Sequence, residues 1–268
     1  LPNVFPDQGE PPVYNTVDAA LWYFQAVREY VAATQDLKFL AEVYPVLEDI
    51  GAWYERGTRY GIHMDPADSL IATTADDVQL TWMDAKVDGW VVTPRQGKPV
   101  EINALWYNAV AAMAWFAGKL KRPAEAHEQR LCDIEMSFQR YWNAATGCLF
   151  DVLDGPEGND AAIRPNQLLA VSLPASPLTA EQQRGVLDAC GRWLLTSHGL
   201  RSLAPCDSRY RGVFRGDRRT RDGAYHQGTV WTWLLPHWAL AHARVHGRRD
   251  EAMAFLEPLG ELIGAHGV

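Results

Sequence analysis

Apolar residues recur at helical spacing along most of this chain, and they do so in paired stretches separated by only a few residues. From Thr16 to about Ala33, Val17, Ala20, Leu21, Phe24, Val27 and Val31 fall on one face. A second stretch begins near Asp36 with Leu40, Val43, Leu47, Ile50 and Tyr54. A connection this short predicts two antiparallel helices lying side by side. Asp36 is suited to cap the second helix, whereas Pro45 inside it predicts a kink or a split. Asn15 or Thr16 is the expected cap of the first.

The pattern repeats three times. Asn103 to Leu120 and Ala124 to Trp142 are joined through Lys121, Arg122 and Pro123. Asn166 to Ser172 precedes a helix in which Thr179 and Gln182 form a capping box ahead of Val186, Leu187, Cys190 and Leu194. Thr229 to Val245 and Asp250 to Ile263 close the series. Strand-like pieces, Cys148 to Leu153 and Leu200 to Leu203, fall in the connections. Four hairpins joined by longer polar segments predict an all-α fold built as a toroid of stacked αα units. No Pro/Gly/Ser linker or charge block divides residues 1–268, so one domain is expected.

Composition narrows what such a fold does. With 268 residues, 47% of them hydrophobic, the chain can bury a large core, which excludes disordered and collagen-like classes. No apolar run reaches the roughly 18 residues of a membrane span, and no basic-then-apolar leader opens the chain. The net charge of −8 repels phosphate backbones and anionic lipid, so neither nucleic acid nor membrane is an expected partner. Four scattered cysteines form neither a disulfide scaffold nor a metal-type spacing, which predicts a reducing cytoplasm. Eleven Trp against eight Phe is unusual; indole plates suit stacking on sugar rings, as well as ordinary packing.

The chemistry sits in the connections. Thr58 to Val100 is a long stretch with no sustained helical period, and loops of that length are generally functional or disordered. It contains Thr81-Trp82-Met83-Asp84-Ala85-Lys86 and leads into Glu101 at a helix start. Asp84 fits an acid tuned by apolar walls and a cation, or a salt-bridged carboxylate. Glu101 fits the same cavity, or a helix-dipole partner. A second polar cluster contains Asp207 and runs through Asp222 to Tyr225-His226-Gln227-Gly228, hydroxyl-binding groups ahead of a helix. Asp18 serves either the first turn of its helix or a ligand. Phosphate loops, G-x-S-x-G elbows and H-E-x-x-H zinc helices are absent from the sequence, and the Asp76-Asp77 pair reads as a solvated turn.

Four blocks carry a family resemblance: PNVFPDQGEPPVYNTVDAALW (Pro2 to Trp22), QLTWMDAKVDGWVVTPRQGKPVEINALWYN (Gln79 to Asn108), IRPNQLLAVSLP (Ile163 to Pro174) and YHQGTVWTWLL (Tyr225 to Leu235). They resemble the amylo-α-1,6-glucosidase domain of glycogen debranching enzymes. The resemblance implies a glucoamylase-like (α/α)6 barrel of which this chain is about the last four hairpins, opening on Leu1 rather than Met. It implies inverting hydrolysis of glycogen, limit dextrin or a related α-glucan with no metal or other cofactor. By the same resemblance Asp84 is the general acid. Asp207 is the general base, with Glu101 and Asp222 as alternatives because Cys206 stands where relatives have an acid. Asp18, Trp82, Lys86, Lys98, Glu101, Tyr225, His226 and Gln227 line the sugar subsite. Inversion needs carboxyls roughly 6.5 to 9.5 Å apart. A non-catalytic glucan-binding remnant, and a trehalase- or invertase-like hydrolase of the same fold, are the alternative readings.

Overall fold

The computed structural model describes residues 1–267. Helix α1 (Ala19–Thr34) buries Ala20, Leu21, Phe24, Val27 and Val31, the face its spacing predicts, and stops where Gln35 turns left-handed at φ 56°. Thr16 caps it in part, its Oγ1 accepting the Ala19 N–H at 3.3 Å. Helix α2 (Leu37–Arg56) starts on Asp36, whose Oδ1 accepts from Phe39 N at 2.9 Å. Pro45 does not split it. The residue lies on the exposed face, where the carbonyl left without its helical N–H partner is open to solvent, and α2 runs unbroken.

Helix α3 (Val100–Lys119) is the centre of the molecule: every residue from Val100 to Val110 is buried. A helix enclosed on all sides is a core element, here contacted by α1, α2 and the next helix, α4 (Glu125–Phe138). The third pair is α5 (Leu169–Ser172), extended backwards by a 3-10 turn over Pro165–Leu168, and α6 (Ala180–Trp193). The expected capping box opens α6, Thr179 and Gln182 bonding each other's backbone N–H at 2.9 and 3.2 Å. A short α7 (Arg218–Asp222) precedes α8 (Leu234–His246).

Two expected helices come out differently. The one expected from Thr229 begins only at Leu234, because Val230–Trp231 is drawn into a small sheet against Gly199–Arg201. The one expected over Asp250 to Ile263 divides into α9 (Arg249–Ala254) and α10 (Glu257–His266). Pro258 explains the break: it lacks an N–H, and its ring would collide with the Ala254 carbonyl of a continuous helix.

The helices α1, α3, α5 and α8 follow one another as neighbours, with α2, α4, α6 and α9 as their hairpin partners. Trp22 of α1 also meets His237 of α8, ring centroids 5.9 Å apart. One hydrophobic core runs from Val17 to Ala241. The fold is mostly helical rather than all-helical, since short strands order the connections. The long stretch after Thr58 carries the ribbons His63–Met64 with Ile71–Ala72 and Lys86–Val87 with Trp90–Val91. Strand Lys98–Pro99 then pairs with Val152–Leu153 and delivers the chain into α3. Gly97 makes that approach possible: at φ 107°, a Cβ would stand 2.4 Å from the Leu153 carbonyl. Among the described residues no helix is long and apolar enough to cross a membrane.

Candidate active site

Trp82 and the turn Tyr225–Gln227 come together in an aromatic cluster. The Trp82 indole stands edge-on to His226, Trp231 and Trp233, with centroids at 5.2, 5.6 and 5.1 Å. His226 stacks on Trp231 at 5.2 Å and 17°, and Tyr225 packs edge-on against both. Such T-shaped and stacked contacts add about 0.5–1.5 kcal/mol each beyond the area they bury, so the cluster is rigid. Trp233 keeps 38% of its surface exposed, leaving an indole edge available to a ligand. The turn depends on Gly228: at φ 145°, a Cβ there would stand 2.6 Å from the Arg211 carbonyl oxygen.

Asp84 lies two residues beyond Trp82 and reaches the surface. Partial burial still pushes its carboxyl above the ordinary carboxylate value; its own backbone N–H pulls the other way, and the charge of Asp18 adds to the rise. Asp18 is itself pushed up by burial, against a 2.6 Å hydrogen bond donated by the Thr16 hydroxyl. A backbone bond from Val17 N to Leu80 O at 2.8 Å ties the start of α1 to the strand of chain that carries Asp84. The acid of this pair holds its proton to higher pH than an isolated Asp, which a general acid requires.

Asp207 has the opposite environment. Arg209 binds both its oxygens, Nε to Oδ1 at 3.0 Å and Nη2 to Oδ2 at 2.8 Å, and this pairing holds the carboxyl below its ordinary value. Arg209 also reaches Asp160, at 3.3 Å. Asp222 is paired with Arg218 and Arg221. Lys86 is exposed and donates to the Asp77 carbonyl.

Three expected subsite residues are committed elsewhere in the fold. Lys98, 6% exposed, is enclosed by Asp65, Asp68 and Asp154 at 2.8, 2.6 and 3.0 Å, so its three donors are spent on a structural clip. Glu101, 1% exposed, is gripped by the Arg95 guanidinium and presents no oxygen to a ligand or a water. Gln227 is likewise occupied at both ends: Arg164 donates to its Oε1 at 2.9 Å and its Nε2 donates to the Val92 carbonyl. It holds the turn in place.

Behind the aromatic face lies a polar and charged layer in which Arg95, Asp151, Arg164 and Asn166 have no role assigned from sequence. Arg95 bonds Asp151 through Nε at 2.9 Å as well as Glu101. Asp151 accepts from Asn166 at 2.7 Å, and Asn166 in turn accepts the Trp82 indole N–H at 2.7 Å. Arg164 donates to the His226 carbonyl at 2.7 Å. Arg164 and Asn166 stand in the quoted block from Ile163, and Trp231 and Trp233 in the block from Tyr225, so the signal was the motif and not its spacing. Burial pulls Arg164 down to about 10, still charged at neutral pH, and pulls His226 down to about 3, so that its imidazole is neutral. Among the described residues no cluster of His, Cys, Asp and Glu could hold a metal ion.

Known proteins share both the sequence pattern and the fold. The model of a family described as amylo-alpha-1,6-glucosidase matches residues 1–266. The glycogen debranching enzyme of Saccharomyces cerevisiae is 23% identical over 336 residues, covering 92% of this chain, and the chain spans 22% of that protein's length. Among solved structures, an uncharacterized conserved protein from Thermus thermophilus superposes with a TM-score of 0.71 at 15% identity, over 97% of this chain and 72% of that one. The GH63 mannosylglycerate hydrolase of the same organism, in complex with glucose, gives 0.67 at 15% identity over 98% and 72%. A rhamnosidase from Klebsiella oxytoca with rhamnose bound gives 0.55 at 14% over 94% and 39%. At these identities the structural likeness is one of fold.

Proposed function

The chain belongs to the amylo-alpha-1,6-glucosidase family, and from that premise we propose that it is an inverting glycoside hydrolase releasing α-1,6-linked glucose from glycogen, limit dextrin or a related α-glucan. The observation that carries this is Asp84: a surface carboxyl lifted above its ordinary value, two residues along the chain from Trp82 of the aromatic cluster. In this reading Asp84 protonates the leaving glycosidic oxygen. Asp207, kept ionised by Arg209, draws a proton from the attacking water. Trp82 and Tyr225 offer apolar faces to the sugar, while the expected contact His226, 1% exposed, is packed behind them and supports the face rather than touching the ligand. Asp18 raises the acid's pKa and adds a hydroxyl acceptor, and Lys86 flanks the entrance. The row of hairpins is read as part of an (α/α)6 barrel, and the four free cysteines support a reducing, cytoplasmic setting.

Proton NMR of the first product tests the reading. Inversion yields β-glucose from a limit dextrin, and α-glucose as first product would contradict it. A panel of limit dextrin, maltose, trehalose and sucrose separates this substrate from others of the same fold. A second reading, glucan binding without turnover, draws on the Arg209 clamp, which occupies the carboxylate assigned as base. Glycogen retention with no hydrolysis by the parent chain would favour it.

A further inference from the structure

We propose that Asp151, which touches no sugar, is the positioning residue that fixes Trp82 and the His226–Gln227 turn in their ligand-facing arrangement. It lies between the strands Cys148–Leu149 and Val152–Gly155, with its own backbone tied on both sides: its N–H donates to the Asp160 carbonyl at 2.8 Å and its carbonyl accepts from Val100 N at 3.0 Å. The side chain is 2% exposed.

Hydrogen-bond polarity dictates the arrangement. An ionised carboxylate only accepts, so Asp151 Oδ1 forces Asn166 to present its NH2, and the Asn166 carbonyl then necessarily faces the Trp82 indole, which only donates. The orientation of the Trp82 plate thus follows from the charge at residue 151. On the other side, the Arg164 guanidinium lies 3.6 Å from Asp151 Oδ2 and donates to the carbonyls of His226 and Ser202 and to Gln227 Oε1. Arg95 is shared with Glu101, which leaves Asp151 as the acid on which both branches converge. A layer of two acids and two guanidinium groups under a binding face costs more to bury than apolar residues of the same volume. Its effect is a single arrangement of three chain segments far apart in sequence.

This inference rests on reading the Trp82 face as the sugar site, and the experiment separates the two. In Asp151→Asn the amide at 151 can donate, Asn166 is free to flip, and the Trp82 N–H loses its obligatory acceptor. The expected results are a kcat/KM on limit dextrin at least tenfold lower, carried mainly by KM, and a raised acrylamide quenching of Trp82, read against the Trp82→Phe protein. In the Trp82→Phe background the same Asp151→Asn change costs less in KM than in the parent, because the Trp82 branch is already cut and only the Arg164 branch remains to be lost. A folded Asp151→Asn protein with unchanged Trp82 quenching, or with additive effects in the double variant, overturns the proposal. If Asp151→Asn does not fold, Asn166→Leu breaks the same branch while leaving both ion pairs, and the same readouts apply. If the parent chain hydrolyses nothing, the glucosidase reading fails and the quenching comparison, which needs no substrate, decides this one.

Discussion

Arg209 grips both oxygens of Asp207, through Nε at 3.0 Å and Nη2 at 2.8 Å, and so holds the proposed base ionised well into the acid range. A general base works only when deprotonated, so activity falls as pH drops through its pKa. Replacing Arg209 by Met removes the lowering influence and raises that pKa. The acidic limb of the kcat/KM profile is expected to move to higher pH, by about one unit for each 1.4 kcal/mol of lost pairing. A limb that stays in place would assign the base elsewhere.

Asp84 and Asp18 make the converse case. Burial and the Asp18 charge both raise the Asp84 pKa, and a general acid loses activity as pH rises through it. Asp18→Asn removes the charge and is expected to shift the basic limb to lower pH, while Asp84→Asn lowers kcat by about 10²- to 10⁴-fold with little change in melting temperature. The two variants differ in kind: one moves the profile, the other flattens it. Rate profiles from pH 4 to 9 show which occurs.

His226 and His237 are pulled down to about 3 and about 4, chiefly by burial, with the charges of Arg164 and Arg95 adding to the effect at His226. The unfolded chain, with histidines near 6.5, binds these protons first as pH falls. Their contribution to stability is therefore complete above about pH 6.5 and declines below it, by up to about 1.4 kcal/mol per pH unit for each ring. Urea unfolding is expected to give lower stability at pH 5 than at pH 7, with a smaller difference in His226→Phe. Imidazole NMR signals of His226 that titrate near pH 6.5 in the folded protein would refute this.

The hairpins were legible because helical spacing is a local property: the Asp36 cap, the Thr179–Gln182 box and the buried face of α1 follow directly from residue types. The late start of α8 was not, because Val230 and Trp231 are committed to a strand by a partner near Leu200 that no local pattern reveals. Aromatic residues near the site were readable as a motif, whereas the roles of Lys98 and Glu101 depended on which opposite charges the fold brings to them. A buried cation or acid is defined by partners distant in sequence, and Asp65, Asp68, Asp154 and Arg95 are supplied by separate turns of the chain.

Lys98 gives the sharpest separation of structural from sugar-facing roles. Burial pulls its ammonium down, and the hydrogen bonds it donates to Asp65, Asp68 and Asp154 more than offset this. Reciprocally, the Lys98 bond is the largest influence holding Asp65 below its ordinary value, and Arg140 and Lys98 outweigh the burial of Asp154. Carboxylates with depressed values stabilise the fold above their unfolded pKa of about 4, and that stability is lost as pH falls through the depressed values. In Lys98→Met three carboxylates lose their shared buried cation, and only Asp68 and Asp154 keep a partner, in Arg140. Because two of them are 30% and 42% exposed, solvent screening keeps the expected loss to about 2 kcal/mol at pH 7. The gap to the parent protein should narrow below pH 3, where the acids are protonated in both. Assayed well below its melting temperature, the variant should retain KM and kcat within about twofold, since no sugar contact is removed. A large rise in KM with unchanged stability would return Lys98 to the sugar subsite.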